Sequence, residues 1–335
     1  MMKKVRWGVI GAGGIANRQT LPVISKTKNC SLSVVMDVKG ADELGRKYGA
    51  DATESVDKVL ARDDVDAVYV ATPVHLHAEQ VIAAAKAGKH VLCEKPLART
   101  AAEARPMVDA CRDAGVLLRE AYMLRCHEAH RAIVRLLQEG AIGKPVCASV
   151  WWGFLYPRIE GAWRQDPALG GGGSLMDVGC HVFNLLNMFL GPVVRVACRA
   201  NTLVQDYPVD DNATTLLEFE SGVQASVITS FCLSGSTMPT RLDLFGSGGA
   251  IHTVGTMGQE PGGEATIYRE SADAGGTRPI EYTPVNTYAR QLDEFAASVA
   301  RGEVVRAGSE AEILRTMAVV DAAHESAKTG RFVEV

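Results

Sequence analysis

Val5-Arg-Trp-Gly-Val-Ile10-Gly-Ala-Gly-Gly-Ile-Ala16 is the stretch whose reading decides the fold. A short β-rich run passes straight into G-x-G-x-x-A, the spacing that lets a strand turn tightly into a helix with a phosphate at the turn. Gly11 makes the turn, and Gly13 leaves room for a pyrophosphate to approach backbone N–H groups at a helix start. Ala16, the small third residue, lets the helix lie close to the strand. Gly11, Gly13, Gly14, Ile15 and Ala16 are therefore the expected cradle for a dinucleotide. The loop alone is weak evidence, and its place directly after a strand is what gives it weight.

The next apolar run, Leu32-Ser-Val-Val-Met36, ends at Asp37, twenty-four positions beyond Gly13. That is close to the distance at which an acid hydrogen-bonds the adenosine ribose diol. A carboxylate there also repels the extra phosphate of NADP, so the reading is NAD, with NADP left open by Lys39 and Arg46. Ala67-Val-Tyr-Val-Ala71 reads as a strand buried on both faces, because it shows no polar alternation. Thr72, Pro73 and His77 follow it, at the strand end where open α/β sheets bind ligands. Thr72 and Pro73 are expected to line the cofactor; for His77 the choice between cofactor contact and helix cap stays open. His90-Val-Leu-Cys93 repeats the pattern and delivers Glu94-Lys95-Pro96 to the same rim, where Glu94 and Lys95 are expected at the cofactor, the proline fixing φ and biasing Lys95 towards an extended backbone. The alternation of strands with helices, including Ala52–Leu60, Ala78–Ala87 and Thr100–Ala114, predicts a mostly parallel sheet over residues 1–125.

Residues 126–335 change character. After helix Glu128–Glu139, β-rich runs at Val146–Trp152, Arg195–Leu203, Asn212–Phe219, Gln224–Phe231 and Arg241–Phe245 have short connections, which favour an open, mainly antiparallel sheet. Gly255–Gly276 reads as peripheral. A helix from Asn286 through Val299 follows, then one capped by Ser309 with Glu312 completing a capping box, and this last helix has the option of packing back on the first domain. Within this half, Gly170-Gly-Gly-Gly-Ser-Leu-Met-Asp177-Val-Gly-Cys-His181 carries the chemistry. If Asp177 and His181 share a helix, the four-residue spacing puts them on one face, about 5–6 Å apart at Cβ. The carboxylate can then orient the imidazole or stabilise its charged form. A capped helix with a buried, hydrogen-bonded histidine is the plainer reading of the same spacing. The aromatics Trp151, Trp152, Phe154, Tyr156 and Trp163, near Arg158, Arg164 and Asp166, divide between core packing and a sugar-sized pocket.

Whole-chain properties narrow the field. At 335 residues two domains are the default. A formal charge of −4 supplies no field for a nucleic-acid backbone, so no nucleic-acid partner is expected. Arg6 interrupts the first apolar run, which is too short for a secretory core, and no stretch approaches the length of a membrane span. The eight cysteines lack a C-x-x-C pair, and Cys180-His181 has no accompanying ligand spacing. They read as reduced thiols of a cytoplasmic protein with no metal.

Taken together, the G-A-G-G-I-A loop, Glu94-Lys95-Pro96, Trp163-Arg164, and the glycine run leading to Asp177 and His181 resemble the glucose-fructose oxidoreductase / inositol dehydrogenase / MocA-like family along essentially the whole chain. The resemblance implies a Rossmann domain followed by an α+β domain, and hydride transfer between a sugar, inositol or polyol carbinol and nicotinamide. It implies that Lys95 positions and polarises the substrate oxygen, that Asp177 contacts substrate and orients the base, and that His181 takes the proton; Arg164, beside the aromatic cluster, is expected at the substrate with them. Many relatives carry tyrosine in place of this histidine, which leans the reading towards polyol or aldose dehydrogenases. Two other readings share these motifs: an NAD-dependent glycoside hydrolase working by transient oxidation, and a non-catalytic sugar or NAD sensor. A homodimer or homotetramer through the second-domain sheet is expected, since one sheet face needs a cover and symmetric pairs are the commonest assembly.

Overall fold

The computed structural model describes residues 4–270, 275–305 and 310–335. The chain divides into two units, Met1–Met123 with Tyr288–Leu314, and Leu124–Thr287 with Arg315–Val335. In the first unit, β1 (Val5–Ile10), β2 (Cys30–Met36), β3 (Asp51–Thr53), β4 (Ala67–Val70), β5 (His90–Cys93) and β6 (Leu118–Glu120) form one parallel sheet in the order β3-β2-β1-β4-β5-β6. The chain therefore winds outward in both directions from β1. A topological switch lies beside β1, and the carboxyl ends of β1, β2, β4 and β5 share one edge.

The strands run apolar without alternation because both faces are covered; every residue of β4 is buried. Trp7, Val9, Ile24, Tyr69 and Leu92 pack in one core with Leu292, Phe295 and Ala296, and the Trp7 and Phe295 ring centroids stand 5.2 Å apart. These last three belong to the helix Thr287–Ala300. Division at residue 125 thus needs correction: the segment from Tyr288 returns to the first unit, because its apolar face completes the core around Trp7. Ser309, the expected cap of the last helix, lies outside the described residues. The helix expected over Ala52–Leu60 is shorter. Asp51–Thr53 pairs as β3 with β2, and Ser55 caps a helix at Val56–Leu60 by accepting the Lys58 N–H.

Among its described residues the second unit is built on nine strands: β7 (Pro145–Gly153), β8 (Val193–Asn201), β9 (Asn212–Phe219), β10 (Gln224–Ser230), β11 (Arg241–Gly246), β12 (Gly249–Val254), β13 (Glu264–Arg269), β14 (Gly276–Pro279) and β15 (Val333–Glu334). Their order is β14-β13-β12-β11-β7-β10-β9-β8-β15, antiparallel throughout except where β10 runs parallel to β7. The stretch expected to be peripheral contributes β13, with its partner β12 before it. Glu264-Ala-Thr-Ile-Tyr-Arg269 alternates in burial, but glycines on both sides obscure so short a run. One face of the sheet buries Val150, Leu217, Val227, Leu242 and Ile251. Alternation places Trp151, Leu216, Phe245 and Tyr268 on the other face, where they stay exposed.

Two histidines hold the start of the helix Glu128–Gln138. His127 caps it, its Nδ1 accepting the Ala129 N–H at 3.2 Å. His130 is fully buried, with Nδ1 2.9 Å from the Leu124 carbonyl and Nε2 3.1 Å from Thr256 Oγ1. Burial, helped by neighbouring His127 and opposed by the Leu124 carbonyl, pushes the His130 pKa down from 6.5 to about 3. Between those values the unfolded chain takes up a proton that the folded chain refuses, so stability falls as pH drops from 6.5 towards 3. Urea unfolding is expected to show a loss of about 3 kcal/mol from this residue between pH 7 and pH 4. His130→Gln is expected to flatten that dependence, and an identical pH profile in the variant would contradict it.

Candidate active site

The carboxyl edge of the parallel sheet gathers the first group of expected site residues. Gly11 follows β1 with φ +84°, and a Cβ there would stand 2.7 Å from the Ala71 carbonyl carbon and the Thr72 nitrogen after β4. Glycine is required at this point by the neighbouring strand end itself. Asp37, directly after β2, accepts the Gly13 N–H on Oδ2 at 2.7 Å and the Lys39 N–H on Oδ1 at 3.1 Å. A Cβ on Gly13 would lie 3.0 Å from Asp37 Oδ2, so the acid and the glycine are fitted to each other. Around Gly14 no atom of the other described residues lies within 4 Å of where a Cβ would stand, which leaves the exposed side of the loop open. Ile15 and Ala16 lead into a π-helical turn at Ala16–Thr20, continued by the helix Leu21–Ile24. An open glycine loop, a helix start and an acid at the end of the next strand form a donor and acceptor set that fits a dinucleotide.

Thr72 packs its methyl 2.8 Å from the Gly11 Cβ position and donates from Oγ1 to Gln80 Oε1 at 2.6 Å; Pro73 stays half-buried beside it. His77, whose role the sequence leaves open, is 1% exposed, with Nε2 2.9 Å from the Thr72 carbonyl and Nδ1 3.1 and 3.3 Å from the Pro96 and Leu97 carbonyls. The ring faces the protein backbone, and burial lowers its pKa. Glu94 also turns inward: it is 7% exposed, its Oε1 accepts the Tyr69 hydroxyl, and its Oε2 accepts the Lys95 N–H at 3.1 Å. Burial beside this carboxylate holds the Tyr69 phenol well above its ordinary pKa. The Lys95–Pro96 peptide bond is cis. Tyr69 escaped sequence reading because it looks like any apolar strand residue.

In the second unit, a π-helical turn at Leu175–Gly179 runs into the helix Cys180–Leu190. The expected single α-helix is therefore a junction of two helix types, a feature often found at functional sites. Asp177 and His181 still fall one turn apart. The Asp177 Oδ1 pairs with Arg164 Nε at 3.3 Å, and the Arg164 guanidinium lies 4.2 Å over the Trp163 ring. His181 is 6% exposed, and its ring centroid lies 5.3 Å from that of Trp152. Phe154 and Tyr156 instead pack on Phe231, at 5.0 and 5.1 Å. A recess of about 730 Å³ behind the Trp163–Gln165 turn is lined by Arg158, Trp163, Asp166 and Tyr207.

Asp210 is a second residue that sequence reading missed. Its carboxylate accepts the Gly173 and Leu175 N–H groups at 2.9 and 2.8 Å and the Ser174 hydroxyl at 2.8 Å, and its carbonyl accepts the Ser174 N–H at 2.9 Å. A Cβ on Gly173 would lie 1.8 Å from that carbonyl oxygen, and one on Gly172 would lie 2.9 Å from the His324 ring. At Gly172 and Gly173 the glycines therefore serve close packing within the unit. The loop Pro208-Val-Asp-Asp-Asn212 gives no periodic signal from which this could be read.

Comparison with known proteins bears on the same elements. The model for an oxidoreductase family with an NAD-binding Rossmann fold matches residues 5–122, and that for the GFO/IDH/MocA C-terminal domain matches residues 130–252. The chain is 34% identical to 1,5-anhydro-D-fructose reductase of Ensifer adhaerens, covering 98% of each chain. It is also 34% identical to D-xylose 1-dehydrogenase (NADP(+)) 2 of Haloferax volcanii, over 98% of this chain and 99% of that one. Among solved structures, levoglucosan dehydrogenase in complex with NADH and levoglucosan superposes with a TM-score of 0.88 at 25% identity, covering 99% of this chain and all of that one.

Proposed function

The chain belongs to the GFO/IDH/MocA oxidoreductase family, and from that premise we propose that it exchanges hydride between a carbinol of a sugar, inositol or related polyol and a nicotinamide dinucleotide, NAD in preference to NADP. The observation that carries this reading is the shared carboxyl edge of one parallel sheet, where the open Gly13-Gly14 loop follows β1, the Asp37 carboxylate follows β2 and Lys95 follows β5. The sugar class is supported by the names of the three relatives described above, each a reductase or dehydrogenase of a sugar or anhydrosugar. Those names favour neither a hydrolase nor a sensor.

When bound, the nicotinamide supplies the hydride acceptor or donor. The Gly11–Ala16 segment and Asp37 bind the dinucleotide, with Thr72 and Pro73 beside them. Lys95, as an ammonium, stabilises charge on the carbinol oxygen. His181 takes the carbinol proton during oxidation, a task suited to a neutral imidazole near pH 7. Asp177 and Arg164 hold substrate hydroxyls, each fixed by the other through their ion pair. The preference for NAD rests on Asp37, whose carboxylate would face the extra phosphate of NADP, although the Haloferax volcanii relative is named for NADP.

A spectrophotometric screen of aldoses, inositols, anhydrosugars and sugar acids, run with NAD and NADP separately, is expected to show reduced nicotinamide forming faster with NAD. No turnover on any of them would end the dehydrogenase reading, and equal or tighter NADP binding would end the cofactor preference alone. We also infer that a second copy covers the face carrying Trp151, Leu216 and Phe245. Light scattering at micromolar concentration should then report a dimer or tetramer, and a monomer mass would remove this inference.

A further inference from the structure

Lys95 sits in a turn that buried side chains hold from both ends. Before it, Glu94 accepts the Lys95 N–H on one carboxylate oxygen and the phenol of fully buried Tyr69 on the other. After it, His77 reaches the Pro96 and Leu97 carbonyls with Nδ1 and the Thr72 carbonyl with Nε2. Since β4 and β5 are neighbours, His77 stands between the turn after one strand and the turn after the next. A neutral ring donates from one nitrogen, and Nδ1, which faces two carbonyls against one at Nε2, is assigned that proton. A buried carboxylate and a buried imidazole each cost free energy unless they are paired. Here both are paired with the backbone or support of the same three-residue turn. We propose that His77 and Glu94, the latter braced by Tyr69, are positioning residues for Lys95 and make no dinucleotide contact.

This rests on the reading of Lys95 as the group that stabilises the substrate oxygen. A side chain on a turn free to shift by about 1 Å loses its alignment, and such a shift can cost on the order of 10²-fold in rate. The two nitrogens of His77 can be told apart by substitution. An asparagine places its amide nitrogen near the Nδ1 position and can restore the link to the Lys95 turn. A glutamine places it near Nε2 and can reach only the Thr72 carbonyl.

The test uses the full chain with two readouts. Hydrogen exchange at the Lys95 and Leu97 amides needs no turnover, and kcat is measured with NAD and the fastest sugar of the screen. His77→Ala is expected to speed exchange at both amides and to lower kcat by about 10- to 100-fold, with the NAD Kd unchanged. His77→Asn should recover most of both losses, and His77→Gln little of either. Tyr69→Phe, which keeps the ring and removes only the donor to Glu94, should move both readouts in the same direction, and it decides the matter if His77→Ala does not fold. Unchanged exchange, equal behaviour of the asparagine and glutamine variants, or weakened NAD binding at unchanged kcat would overturn the proposal. A wild-type chain that turns over no sugar would remove the role given to Lys95, while exchange would still report whether its turn is held.

Discussion

His181→Ala is expected to lower kcat by about 10²–10⁴-fold while leaving the NAD Kd little changed. The imidazole stands at the start of the helix Cys180–Leu190, just after the π-helical turn, and is packed beside Trp152. Its loss removes the group proposed to take the carbinol proton, whereas the dinucleotide loop belongs to the other unit of the chain. Because the residue is largely buried, truncation also lowers stability, so kcat must be referred to the folded fraction measured by circular dichroism. Steady-state kinetics with NAD titrated by calorimetry separates the two effects. Full activity in the folded variant would take His181 out of the chemistry.

Gly173→Ala is expected to destabilise the chain by roughly 4 kcal/mol, read as a lower midpoint in urea unfolding. The added methyl would stand 1.8 Å from the Asp210 carbonyl oxygen, which belongs to rigid backbone. Relief requires the loop to move away from Asp210, weakening three hydrogen bonds to its carboxylate, from the Gly173 and Leu175 N–H groups and the Ser174 hydroxyl. Hydrogen bonds to a charged acceptor are worth about 1.5–3 kcal/mol each. Asp177 lies four residues on and donates its N–H to the Gly173 carbonyl, so activity should fall with stability. Gly14→Ala supplies the contrast. With nothing within 4 Å of its Cβ position, it should leave the unfolding midpoint unchanged and weaken dinucleotide binding. Equal midpoints for wild type and Gly173→Ala would show that the backbone around Asp210 yields more easily than its hydrogen bonds imply.

The two glycine motifs show how far sequence reading reached. Around Gly11 and Gly13 the spacing carried its own meaning, since a strand, a tight turn, a helix and an acid at the next strand end are local or nearly local events. The structure finds the same elements, with Asp37 on the Gly13 N–H. At Gly172 and Gly173 the same residue type answers to close packing against His324 and Asp210, both distant in sequence. His77 follows the same rule: its place after a strand left a cofactor contact and a helix cap both open, and in the structure three backbone carbonyls surround its ring.

By itself the sequence determined the parallel sheet with its glycine loop, the mainly antiparallel second sheet, and the family, because hydrophobic period, turn residues and motif spacing act within a few residues of one another. Tertiary structure alone decided that the helix Thr287–Ala300 supplies Phe295 to the core around Trp7, that β12 and β13 extend the second sheet, and which polar side chains hold backbone. These outcomes depend on which buried donor meets which acceptor across tens or hundreds of residues. A buried polar group must find a partner wherever the folded chain brings one, and no local pattern of residues records where that is.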